Sequence, residues 1–250
     1  MNERKRTSKS HTDRAVWTDD ELRRGGSVAD QDDFSMFSKE GMAQLAPVLY
    51  NMWNDPINVF PFFSGANLIP WQVIQQINRD FPTPNEFEYD TLGKEGGGDF
   101  RFNKQARMPD HIRTSIEEFH HPVLLAFLER STGIKGLIPD PYLEDAGLEY
   151  STKGASRPPS EERKTHSTLI GLHRRVGLII SASKNWQPEW GGDTDFFEGT
   201  EVKQSFQHSY NHFFCYDVQK ALPQGFKPLK CPSSYARKAL RLYFYTATLD

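Results

Sequence analysis

The side chains with the most chemistry to offer are eight histidines and two cysteines. His166-Ser167-Thr168 sets an imidazole and a hydroxyl two positions apart. In extended chain, residues i and i+2 share a face, so His166 and Thr168 are expected to project together, able to act as acid, base or hydrogen-bonding pair. The only His-x-Asp in the chain is His11-Thr12-Asp13, inside a densely charged stretch, where a chance match is the expectation. His173, His208 and His212 lie near expected strands. His208 and His212 share parity if that strand is unbroken, yet each reads first as a satisfied or solvent-facing histidine. Cys215 and Cys231 make neither a disulfide framework nor a zinc spacing. Gly96-Gly97-Gly98 is a flexible turn lacking the spacing and following helix of a phosphate loop.

These groups must be positioned by two kinds of element. Asp33 or Ser35 is expected to cap a helix running to about Trp53, with Met42, Leu45, Val48 and Leu49 on its apolar face. Trp71, Ile74, Ile77 and Phe81 fall at helical spacing within residues 68–81. After Pro109, Ile112, Ile116, Phe119, Val123 and Phe127 form one stripe, with Pro122 either kinking a helix or opening a second, and Gly133 at a C-cap. From residue 146 the pattern turns to strands. Residues 174–182 put Val176, Leu178 and Ile180 on one face and Gly177, Ile179 and Ser181 on the other. Residues 193–197, 212–217 and 237–246 follow as strands. In the last of these Lys238 shares parity with Leu240, Leu242 and Phe244, the face expected to point inward, where a lysine needs an anion or an acid such as Asp193, Asp195 or Asp217. Arg237 and Arg241 are expected to meet solvent, and Tyr243 and Tyr245 to pack outside. Trp186 and Trp190 with Gly191-Gly192 shape a tight turn.

Composition sets the class. Hydrophobic content of 37% with 25% charged residues is that of an ordinary globular chain. The longest apolar run, Pro122 to Leu128, is far short of the ~20 residues of a membrane helix. A net charge of −3 argues against a dedicated nucleic-acid binder. Residues 1–33 mix seven Lys/Arg with eight Asp/Glu and carry no secretory or transit pattern, so a poorly ordered extension and a reduced, cytoplasmic setting are expected. The remainder, 34–250, is expected to be one domain, helical over 34–135 and a barrel over 136–250. Helices first and short antiparallel strands after indicate a mainly β sandwich or jelly roll with helices packed outside.

Three segments carry a resemblance. The run RRVGLIISASKNWQPEWGGDTDFFEG, then SYNHFFCYDVQKALPQGFKPLKCP, then ARKALRLYFYTA resembles, in order, the prolyl-4-hydroxylase-like branch of the Fe(II)/2-oxoglutarate oxygenases. It extends over roughly residues 55–250 and is most specific from 174 onward. It implies a double-stranded β-helix, cupin-like, whose mouth holds Fe(II) through His-x-Asp/Glu and a distant His, leaving sites for 2-oxoglutarate and oxygen. On that resemblance His166 takes the first ligand position, Thr168 the carboxylate position and Gln224 the distal histidine position, with Gln219 or Lys220 in other registers. Only His166 is a retained ligand, so the triad reads as degenerate and iron binding of the family type is not expected. Lys238 matches the basic residue that grips the distal carboxylate of 2-oxoglutarate, and Tyr150 is a second candidate for hydrogen bonding to it. The polar segment 151–165, with Lys153, Arg157, Arg163 and Lys164, reads as a solvated loop or a lid over the mouth.

Three functions follow. The first is small-molecule binding, or metal-independent chemistry, in the barrel by His166, Thr168, Gln224 and Lys238. The second is a working 2-oxoglutarate-dependent hydroxylase with unusual ligands. The third is a pseudoenzyme acting as scaffold or partner subunit. A ligand-lined pocket distinguishes the first from the third, for which a plugged cavity is expected. A homodimer is compatible with the apolar helix faces.

Overall fold

The computed structural model describes residues 35–85, 89–92 and 98–249. The charged segment 1–33 with His11-Thr12-Asp13, and Gly96 and Gly97, lie outside them. Ser38, rather than Asp33 or Ser35, caps the first helix: its hydroxyl accepts from the Gly41 amide at 3.1 Å, starting α1 (Lys39–Trp53). Met42, Ala46, Leu49 and Trp53 repeat at three- and four-residue steps and are buried, whereas Leu45 and Val48 fall off that stripe and are exposed. In α2 (Trp71–Arg79) the buried side chains are Val73, Ile74 and Ile77, while Trp71 turns outward against the Tyr210 ring. Pro122 opens a second helix rather than kinking one. α3 (Asp110–Glu118) ends before it, and α4 (Pro122–Thr132) begins with Pro122 in its first turn and His121 Nδ1 accepting from Val123 N. Gly133 then closes α4 in the left-handed region (φ 78°).

Among the described residues twelve strands form two antiparallel sheets. The larger contains β1 (Phe62–Ala66), β10 (His212–Asp217), β7 (His173–Ser181), β12 (Arg237–Thr246), β5 (Gly147–Ser151), β3 (Asp99–Phe102) and β2 (Asp90–Thr91), in that order, with β4 (Ile138–Pro139) also on β12. The smaller runs β6 (Arg157–Ser160), β11 (Gln224–Phe226), β8 (Thr194–Glu198), β9 (Glu201–Phe206). β1, β2 and β3 come from the half expected to be purely helical. FPFFSGA is too short an apolar run to separate strand from helix by period, and its β identity is set by pairing with β10.

Register decides which side chains face where. Phe63, Cys215, Leu178 and Leu242 are cross-strand neighbours in one row, and Phe63 packs on Trp53 of α1 and Phe127 of α4, so this row faces the helices. The next row is Phe62, Tyr216, Gly177 and Tyr243. It faces the smaller sheet: Phe62 packs on Phe206, and Tyr216 on Phe196. Within it Gly177 leaves room for the Tyr216 ring, because a Cβ there would lie 2.4 Å from Tyr216 Cζ. Gly177→Ala is therefore expected to destabilise by about 1–3 kcal/mol through overpacking. Combined with Tyr216→Leu in a urea-denaturation double-mutant cycle, the loss should be clearly less than additive.

Candidate functional site

Between the sheets the interior is built around Glu149, a fully buried carboxylate on β5. Its Oε1 accepts from Arg241 Nε at 2.7 Å and Arg157 Nη1 at 3.0 Å, and its Oε2 from Arg237 Nη1 at 3.3 Å. Strand parity supplies these partners: Asp99, Ser151 and Arg237 form one cross-strand row, Glu149 and Ala239 the next, and Arg241 the row after. Arg157 also forks onto Asp99, with Nε to Oδ2 at 2.9 Å and Nη2 to Oδ1 at 3.1 Å, and Ser151 Oγ donates to the same carboxylate. Arg237 donates to Gly192 O at 2.8 Å and Thr194 Oγ1 at 3.4 Å. The Phe226 ring lies under the guanidinium groups of both Arg157 and Arg237, at 5.3 and 5.2 Å.

Arg241 carries the network on to a second cluster. Its Nη1 lies within bonding distance of Glu162 Oε1, Tyr216 Oη, Gln224 Oε1 and Tyr243 Oη, at 3.0 to 3.3 Å. Three carboxylates (Asp99, Glu149, Glu162) thus balance three guanidinium groups (Arg157, Arg237, Arg241). Burial alone would push the Glu149 carboxyl up, but Arg157, Arg241 and Arg237 together hold it well below the usual carboxylate range. Burial, with Glu162 and Tyr243 beside it, pushes the Tyr216 phenol well up.

The expected site residues are divided among three places. Gln224 is inside the lattice, buried on β11, donating to Tyr216 Oη at 3.3 Å. His166 and Thr168 do touch, with Thr168 Oγ1 3.2 Å from His166 Nδ1, but by a turn rather than by strand parity: the amides of Thr168 and Leu169 both donate to that nitrogen. His166 Nε2 faces Asp140 at 3.4 Å, and its ring packs on Tyr245. His166 and Gln224 have no partner in common among these contacts, and the residues across the strands from Gln224 are Ser160 and Phe196. Lys238 points to the helix side, not inward. Its Nζ donates to Asn78 O at 2.9 Å and lies over the Phe81 ring, and burial lowers its pKa. Tyr150, its cross-strand neighbour, packs on Phe81 and Tyr89 on that same side.

The alternation in β12 is therefore the reverse of that expected. Arg237 and Arg241 are buried inside, and Tyr243 and Tyr245 accompany them, with the Arg174 guanidinium 4.1 Å from the Tyr243 ring centroid. Arg157 belongs to β6 rather than to a solvated loop. His208 and His212 are separated by a turn between β9 and β10. Gln219 binds the carbonyls of Lys164 and Arg174, and Lys220 is exposed. Trp186 and Trp190 pack edge to face, as the turn reading anticipates. Sequence reasoning passed over Glu149, Asp99 and Glu162; the available signal was Glu149 itself, an acid between Leu148 and Tyr150 in an otherwise apolar strand.

Beyond Thr194 the space between the sheets opens into a cleft of about 280 Å³, lined by Phe62, Ser181, Thr194, Phe206, His208 and His212 among others. Among the described residues no lysine, arginine or acid lines it. His208 Nε2 is 2.9 Å from Ser183 Oγ, and burial, with Arg237 nearby, keeps the imidazole pKa well below its ordinary value.

No protein-family model and no curated protein matches the sequence. Solved structures do match in fold. A prolyl 4-hydroxylase from Pseudomonas putida superposes with a TM-score of 0.56 at 15% identity, over 81% of this chain and 98% of that one. A prolyl hydroxylase from Trichoplax adhaerens, in complex with a hypoxia inducible factor peptide fragment, gives 0.55 at 13% identity over 83% and 94%. The non-heme α-ketoglutarate dependent epimerase SnoN of nogalamycin biosynthesis gives 0.55 at 11% identity over 84% and 85%. The fold is that of the prolyl-4-hydroxylase-like 2-oxoglutarate/Fe(II) oxygenases.

Glu149→Gln leaves three guanidinium groups short of one carboxylate and is expected to destabilise by about 3–5 kcal/mol, read as the shift in urea midpoint at pH 7. A second expectation concerns acid. An unfolded histidine titrates near 6.5, and the folded His208 binds its proton only at lower pH. Stability must therefore fall as pH drops below about 6.5, by ~1.4 kcal/mol per pH unit for this group. His208→Gln should flatten the stability–pH slope between pH 6.5 and 5 by about one proton's worth.

Proposed function

We propose that this protein keeps the oxygenase fold without its iron chemistry and works by binding. In this reading the two sheets are the major and minor sheets of a double-stranded β-helix, with the N-terminal helices packed on the outer face of the major sheet. The observation that carries it is Glu149. A carboxylate of the chain itself sits on Arg157, Arg237 and Arg241 in the space between the sheets, leaving these three cations already neutralised.

The residues at the metal positions do not fit the metal. Thr168 supplies a neutral hydroxyl, Gln224 is held by Arg241 and Tyr216, and His166 has both ring nitrogens engaged elsewhere. Among the described residues no group of three or more His, Cys, Asp or Glu is arranged to hold a metal ion. Two histidines and one carboxylate on one face are what such a centre requires. The basic residue that faces inward is Arg237, not Lys238, and its partner is Glu149.

The uncharged cleft beside Thr194 and His208 favours a small neutral ligand over a purely structural role, since aromatic walls with a few polar groups are the usual make-up of a binding site.

The test is an anaerobic titration of metal-stripped protein with Fe(II) and 2-oxoglutarate, following the visible charge-transfer band of the chelate. No saturable band and no retained metal is the expected outcome. A band saturating at one equivalent and lost in His166→Ala would overturn the proposal.

A further inference from the structure

α1 and α4 pack against each other and leave between them a groove of about 440 Å³, larger than the cleft between the sheets. It is open because the positions facing it carry short side chains. Ala43 on α1 and Ala126 on α4 are both exposed, and their methyl groups leave room beside the buried side chains of Met42 and Phe127. Two cations bound it. Lys39 and Arg130 are exposed, and neither makes a hydrogen bond or ion pair among the described residues. No acid among those residues lines the groove. An apolar trough with unpaired cations at its rim is complementary to an apolar segment that carries acids.

The chain itself supplies such a segment. The described residues begin at Ser35, and the chain is fastened there beside the end of the groove. Met36 N donates to Glu118 Oε2 at 3.0 Å, and the Phe37 ring packs edge-on against Phe119, just before α4 opens at Pro122. Upstream, residues 15–22 read Ala-Val-Trp-Thr-Asp-Asp-Glu-Leu, and Trp17 is the only aromatic residue in 1–33. Asp19, Asp20 and Glu21 are its only charged members, opposite in sign to Lys39 and Arg130. Residues 23–34 join this segment to Ser35. A link of that length reaches up to about 40 Å, whereas α4 rises only about 12 Å from Pro122 to Arg130. Tethering sets the effective concentration of the segment at roughly millimolar, so a contact too weak to hold separate molecules together is populated within one chain.

We propose that residues 15–22 dock in the α1–α4 groove of their own chain, with Trp17 on the apolar lining and the acids at 19–21 against Lys39 and Arg130. A partner of these two helices must then displace the segment before it binds. The inference is independent of what the space between the sheets holds and of whether iron binds.

The indole ¹⁵N–¹H signal of Trp17 in the full chain, assigned with Trp17→Phe, tests it against the same signal in a synthetic peptide of residues 11–24. The expected wild-type signal is displaced from the peptide position and does not move on dilution. Ala126→Phe, which fills the groove from an exposed position, should return it to the peptide position. Lys39→Glu/Arg130→Glu should shift it part of the way back, and adding Asp19→Lys/Asp20→Lys/Glu21→Lys to that variant should restore the displacement. Unmoved Trp186 and Trp190 signals show that each variant keeps its fold. The wild-type comparison needs no variant: a Trp17 signal at the peptide position overturns the proposal. So does a displaced signal that ignores both groove variants. A signal that drifts to the peptide position on dilution also overturns it, because the groove then takes the segment of a second copy.

Discussion

Glu149 without its arginines, or the arginines without Glu149, would be costly to keep in this interior. An unpaired charge withdrawn from water costs several kcal/mol, a large share of the stability of a domain, so each member of the set depends on the others. That mutual dependence reaches a long way. Arg237 and Arg241 fix the inward face of β12, and through β12 the register of the central sheet. Arg157 ties the smaller sheet to β5 and β3 through Glu149 and Asp99. The Phe226 ring under two guanidinium groups adds contact from the opposite sheet. The sheets are joined by charge on one side of the interior and by aromatic rings on the other, where Phe206, Phe214 and Tyr216 stack and Phe196 packs edge-on against Phe214 and Tyr216.

The balance of that set also bears on chemistry. Here the cations already have acids from β5, β3 and the link after β6, and the positions across from Gln224 hold Ser160 and Phe196. The fold is common to oxygenases; what the interior can do is set by these few side chains.

Much of the architecture was legible in the sequence. β10 and β12 are where alternation put them, β7 is displaced by one residue, and Pro122 and Gly133 mark α4 through local conformational rules that need no tertiary information. The family resemblance was carried by the same strands. What was not legible depended on distant partners. β1 and β3 are short and take their identity from β10 and β5. The inward face of β12 was misassigned because local reasoning sends Arg237 and Arg241 to solvent and Leu240 and Leu242 inward. Both faces of that strand are buried, and the arginines go between the sheets because acids 75 or more residues away in sequence meet them there. The extended-chain argument for His166 and Thr168 failed for a similar reason: the segment turns back on itself around the imidazole.

The last strand in chain order, β12, occupies the middle of the larger sheet, with β7 on one side and β5 on the other. Until it is synthesised, those two strands present bare inner edges and the acid at 149 has neither Arg237 nor Arg241. A nascent chain must therefore carry an unclosed, charge-frustrated sheet from the synthesis of β7 until that of β12, and its sheet can close only late. For a cell making this protein, the exposed interval is set by the time the ribosome takes from β7 to β12, and it is there that a holding chaperone has its opportunity.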